Sequence, residues 1–144
     1  MPVPDWSILQ LKPESSHKPS RGIRNAVVYQ DSILCFLEFG LTQSDVWKFD
    51  LVSHSWTEIK YKGQAPLWGD RTLAFIKNDK ICLFGMFKDK CALYSLEVEK
   101  GDNTGEWRQI YSKMTGDGVP VFQPGYASAF SNGKLWIVDE NIFY

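Results

Sequence analysis

The chain has 144 residues, with 16 basic and 17 acidic side chains, 44% hydrophobic and 15% aromatic residues. A net charge of -1 offers no electrostatic footprint for a nucleic-acid partner. Charged residues at only 23% among so many aromatics exclude a disordered chain.

The first segment, Met1-Pro2-Val3-Pro4-Asp5-Trp6, lacks the basic and apolar regions of a signal peptide. Trp6-Ser7-Ile8-Leu9 reads as a short strand, followed by a polar loop through His17, Pro19 and Gly22. The run from Ala26 to Phe36 is apolar on both sides of Gln30-Asp31, a pair that suits a two-residue hairpin turn. Val46-Trp47-Lys48-Phe49-Asp50-Leu51 alternates as a half-exposed strand does. The turn Val52-Ser53-His54-Ser55 then leads to a strand opening at Trp56-Thr57-Glu58-Ile59. After Pro66 and Gly69 the pattern returns: Ala74 to Phe84 is a hairpin about Asn78-Asp79, and Leu93 to Val98 is an alternating strand. A longer turn through Glu99 to Glu106 precedes Trp107-Arg108-Gln109-Ile110. A third hairpin, Ser128 to Val138 about Asn132-Gly133, follows Pro120 and Gly125. Each hairpin is expected to consist of two largely buried strands.

Trp6, Trp56 and Trp107 stand 50 and 51 residues apart, each opening a Trp-x-x-aliphatic strand. The unit is four antiparallel strands in about 50 residues, with no stretch that demands a helix. Such a unit, with an aromatic-rich third strand and a tryptophan opening the fourth, resembles the kelch repeat of β-propellers. The resemblance is closest from Asp45 to Trp56 and extends from about Trp6 to Val138. The glycine pair usual at the end of the second strand is not present: Leu37-Glu38-Phe39-Gly40, Gly85-Met86 and Asp139-Glu140 stand there.

The resemblance implies an all-β fold of four-stranded antiparallel blades, part of a propeller. Residues 1–20 would end a preceding blade, 21–61 and 66–112 would form two complete blades, and 120–144 would begin another. Propellers close with roughly 4–8 blades, so a ring built only from this chain is not expected: it would be a fragment of a longer product, share a ring with another chain, or form an open arc whose blade edges could drive self-association.

The same resemblance places the connections before each first strand near the propeller axis, where partners dock. Arg21, Arg24, Asp70, Arg71, Gln123 and Tyr126 match those connections, and the arginines suit an acidic peptide. Trp68, in the connection Pro66 to Arg71, breaks the repeat and is a candidate anchor. These seven residues form the expected partner-binding set.

Catalytic and metal signatures are not visible in the sequence. His17 and His54 sit in a polar loop and a turn, and no His/Cys/carboxylate set has zinc spacing. No Gly-x-Ser-x-Gly elbow occurs, Gly101 to Glu106 lacks the EF-hand ligand order, and Gly116-Asp117-Gly118 is not a phosphate loop. Asp139 and Glu140 are adjacent in a strand and point to opposite faces. No cofactor is expected.

Cys35, Cys82 and Cys91 read as buried thiols rather than a disulfide framework. No asparagine begins an Asn-x-Ser/Thr sequon, and no apolar run reaches the roughly 18 residues that span a bilayer. Together these point to a cytoplasmic chain without membrane or nucleic-acid partners. The expected function is a non-catalytic kelch-type scaffold that binds protein partners through blade-connecting loops. The alternatives are a fragment of a propeller oxidase or sugar-processing enzyme, and a truncated product without independent function.

Overall fold

A computed structural model describes residues 18–37, 46–63, 65–66, 72–87, 90–99, 101, 103–114, 127–139 and 142–143. All regular structure among them is strand: β1 (Ile23–Tyr29), β2 (Ser32–Leu37), β3 (Val46–Asp50), β4 (Trp56–Gly63), β5 (Thr72–Lys77), β6 (Lys80–Phe87), β7 (Lys90–Val98), β8 (Thr104–Met114), β9 (Ala127–Ser131), β10 (Lys134–Asp139) and β11 (Ile142–Phe143).

Local turn chemistry sets the hairpins. Gln30 (φ 53°), Asn78 (φ 50°) and Asp79 (φ 59°), and Asn132 (φ 52°) with Gly133 (φ 72°) occupy the tips of β1–β2, β5–β6 and β9–β10. Positive φ is what a two-residue turn needs to match the twist of its strands, and Asn, Asp and Gly adopt it most readily. Between β3 and β4, Asp50 folds the chain back: its Oδ1 accepts bonds from the amides of Val52 (2.9 Å) and Ser53 (2.7 Å). Those two donors hold the Asp50 carboxyl below its ordinary pKa.

Two four-strand antiparallel units, β1–β4 and β5–β8, result, but they are not discrete blades. The strand order is β1-β2-β3-β4-β8-β7-β6-β5, one continuous eight-stranded sheet. The join is a parallel ladder between β4 and β8, with Lys60 opposite Thr104, Tyr61 opposite Gly105, Lys62 opposite Glu106 and Gly63 opposite Trp107. β4 thus changes partner along its length, pairing antiparallel with β3 up to Ile59 and parallel with β8 from Lys60. The terminal strands β1 and β5 lie against each other, and Asn25 Nδ2 donates to Thr72 Oγ1 at 3.1 Å. The sheet therefore curls into a near-closed barrel.

This arrangement corrects the kelch-type propeller expected from the sequence. The all-β class stands, while the separate four-stranded blades do not. The physical reason lies in what a repeat encodes. Each unit specifies its own antiparallel pairing through apolar runs and turns, and leaves open whether its last strand also bonds to the next unit. Here it does, and β8 comes close enough to β4 that a glycine is needed at the seam. A Cβ built on Gly63 would stand 2.5 Å from the Trp107 carbonyl oxygen.

The barrel interior is the main core. Val27, Leu34, Phe36, Val46 and Ile59 of the first half meet Ala74, Ile81, Leu83, Ala92, Tyr94, Leu96 and Trp107 of the second. Each large side chain so buried contributes about 1.5–3 kcal/mol. On the outside of the first half, Cys35, Leu37 and Trp47 form a second cluster with Ile33 and Trp56. On the outside of the second half lies a three-stranded sheet of order β11-β10-β9. It packs Ile137 and Leu135 on Cys91 and Phe84, and stacks Phe130 on Phe75 at 4.6 Å.

Burial governs the three thiols. It pushes Cys35 up to about 11 and raises Cys82 and Cys91 as well, the neighbouring Lys77 and Lys80 only partly opposing it at Cys82. A thiol reacts as thiolate, so all three are expected to resist alkylation at neutral pH in the folded protein and to label fully in denaturant. Mass spectrometry after a timed iodoacetamide pulse checks this. Rapid native labelling of Cys35 would contradict its 3% exposure.

Candidate functional site

Of the residues expected from the sequence to bind a partner, Arg21 and Arg24 lie in the described part of the chain. Arg21 is half-buried just before β1 and Arg24 is exposed on β1, and both already interact within the chain. Trp68, Asp70, Arg71, Gln123 and Tyr126 lie outside the described residues. Their grouping rested on a propeller axis, and a continuous sheet has no such axis. The loop-presenting kelch scaffold and the propeller-enzyme fragment fall with it.

What the structure does expose is an apolar sheet face. Along β9 and β10 side chains alternate between the barrel and the outside. Residues opposite each other in an antiparallel ladder share a face. Leu135 faces Phe130 and Ile137 faces Ser128 on the side toward the barrel, while Trp136 faces Ala129 and Val138 faces Ala127 on the outer side. Trp136 is 51% and Val138 45% exposed, and Ala127 and Ala129 are exposed beside them. Alanine is too short to shield an indole across a ladder, so one face of Trp136 is open. Lys134, paired with Ser131, sets a positive charge at the hairpin end of this face.

In the sequence this face is masked, because Leu135-Trp136-Ile137-Val138 reads as a buried run. A signal is present: Ala127, Ala129 and Ser131 of β9, opposite Val138, Trp136 and Lys134, are too small to cover that face.

Two other features are less suited to a ligand. A groove of about 310 Å³ beside the β4–β8 seam is lined by Lys60, Tyr61, Lys62, Glu99, Thr104 and Gly105. A smaller one of about 150 Å³ shares Glu99 and includes Tyr29, Ser32 and Lys48. Their cations are largely engaged: Lys48 Nζ donates to Asn103 Oδ1 at 2.8 Å, and Lys62 lies 4.0 Å from Glu106. On β8, the residues Arg108 to Ser112 are exposed in succession beyond the last residue paired with β4, and a bulge interrupts the ladder to β7 there, where Leu93 pairs with Tyr111 and Tyr94 with Gln109. A bulge of this kind bends a strand edge away from further pairing.

His54 stacks on Phe49 with ring centroids 6.2 Å apart. Among the described residues no group of three or more His, Cys, Asp or Glu could hold a metal ion, and no helix is long and apolar enough to cross a membrane. Comparison of the chain with protein-family models, with curated proteins and with solved structures finds no match in any of the three.

Proposed function

We propose that the chain is a non-catalytic protein-binding β-module that docks a partner protein on the outer face of β9 and β10, with Trp136 as anchor. The observation that carries this reading is the half-exposed Trp136 set among Val138, Ala127 and Ala129 in one cross-strand patch. A contiguous apolar face, unlike apolar residues exposed singly, marks a site of interaction. Tryptophan is also among the residues that most often dominate binding energy at an interface centre. The partner surface would offer an apolar pocket for the indole and a carboxylate near Lys134. Recognition by a rigid sheet face replaces the loop-based docking expected from the sequence.

A photoreactive side chain placed at Ala129, opposite Trp136, tests the reading in cells. The expected result is a discrete protein adduct that disappears when Trp136→Ala is added to the same chain. A control at Val52, a 79% exposed apolar residue in the β3–β4 turn, should not give that adduct. Equal adducts from both positions, or an adduct indifferent to Trp136→Ala, would defeat the proposal. Because Trp136 lies outside the core, its removal should leave the melting temperature within a few degrees of the parent, roughly ±0.5 kcal/mol.

A further inference from the structure

From the β9–β10 turn we infer that Asn132-Gly133 is a site of spontaneous covalent modification, converting Asn132 to aspartate and isoaspartate. Both residues are exposed, and both hold positive φ at the hairpin tip. The last paired residues are Ser131 and Lys134, so the Gly133 amide lies outside the ladder. Apart from its two chain neighbours, no described residue comes within 4 Å of where a Gly133 Cβ would stand, so nothing else crowds the turn.

The chemistry needs only water. The Gly133 nitrogen, deprotonated by base, attacks Cγ of Asn132. A new N–Cγ bond closes a five-membered succinimide, the Cγ–Nδ2 bond breaks, and Nδ2 leaves as ammonia after taking up a proton. Water then opens the ring at one of its two carbonyls. Cleavage of the N–Cγ bond yields aspartate, and cleavage of the bond between the Gly133 nitrogen and the main-chain carbonyl yields isoaspartate. Nothing is oxidised or reduced.

The described chain contains its own control. Asn78 sits at the tip of the β5–β6 hairpin with φ 50°, nearly the φ of Asn132, but it is followed by Asp79, and any side chain on the residue that supplies the attacking nitrogen slows ring closure relative to glycine. Asn25 and Asn103 are further removed, since Asn25 Nδ2 donates to Thr72 and Asn103 Oδ1 accepts from Lys48. Ring closure requires the turn to leave its hairpin geometry, so the rate follows local opening of the small sheet. The consequence is structural. Isoaspartate adds a main-chain carbon to the two-residue turn that fixes the register of β9 against β10, and either product places a negative charge beside Lys134.

The test is to hold the purified full chain at body temperature in mildly alkaline buffer and follow its proteolytic peptides by mass spectrometry. Expected is a progressive amide-to-acid mass gain in the peptide containing Asn132, with part of the product accepting methyl groups from an isoaspartyl methyltransferase. The Asn78 peptide should lag well behind it. Gly133→Ala should slow the gain. Because alanine is strained at φ 72°, Asn132→Gln, which keeps the glycine, is the companion variant and should abolish it. A gain no faster at Asn132 than at Asn78, or no gain at all, overturns the inference.

Discussion

Trp107→Ala should bring the protein to the edge of unfolding. Trp107 is 3% exposed and sits where both halves of the barrel meet, 6.2 Å from the Phe36 ring and edge-on to Tyr61 at 6.3 Å. It stands opposite Leu96 in the antiparallel ladder and Gly63 in the parallel one, so its side chain is held by three strands. Removing a buried indole costs about 3–5 kcal/mol, because the cavity left behind collapses only in part. A domain of this kind has a total stability of about 5–15 kcal/mol. The expected drop in melting temperature is roughly 10–20 °C, read by circular dichroism or calorimetry. Trp107→Phe keeps an aromatic ring at the contact with Phe36 and should lose markedly less. A Trp107→Ala protein melting within a few degrees of the parent would mean that the two halves do not share this core.

That expectation depends on a feature hard to read in the sequence. Hairpin pairing is legible, in each half of the barrel and in the small sheet, since apolar runs flank turn residues at Gln30-Asp31, Asn78-Asp79 and Asn132-Gly133, and strands do pair across all three. Those are local signals between neighbours in the chain. The parallel ladder from Lys60–Gly63 to Thr104–Trp107 has no such signature. Its strands are joined by distant parts of the chain, and no side-chain pattern marks which backbone edge meets which. Gly63, after Lys60-Tyr61-Lys62, reads as an ordinary strand-ending glycine. Only the structure shows that a carbonyl occupies the space a Cβ would take. A period of about 50 residues was therefore read as separate blades, when it marks two halves of one sheet.

Arg21, Arg24, Asp70, Arg71, Gln123 and Tyr126 come together only about a ring axis, and of these the structure describes Arg21 and Arg24 alone. Trp136 is hard to read for another reason: it sits between Leu135 and Ile137 in a run that reads as buried on both sides. Burial in a strand is a property of each face. Ile137 at 5% exposure and Trp136 at 51% are neighbours in sequence and lie on opposite sides of the same sheet.

The substitution that most directly tests the continuous sheet is Gly63→Ala. Gly63 has φ +88°, and an added Cβ would stand 2.5 Å from the Trp107 carbonyl oxygen and 3.3 Å from its nitrogen. Both are backbone atoms, so no side chain can rotate aside. The left-handed conformation costs a non-glycine residue about 1–3 kcal/mol before any clash is counted. The cheapest relief is for β4 to pull away from β8 at this point. Hydrogen exchange should then quicken at the amides of Lys60–Gly63 and Thr104–Trp107. The β2–β3 and β6–β7 ladders, whose bonds lie within each half, should stay protected. Two separate four-stranded units would answer differently. With no β4–β8 bonds to lose, they would show unchanged exchange along both segments, and the alanine would cost only its backbone strain. Protection at the seam in the parent, lost selectively in Gly63→Ala, is the result a single eight-stranded barrel requires.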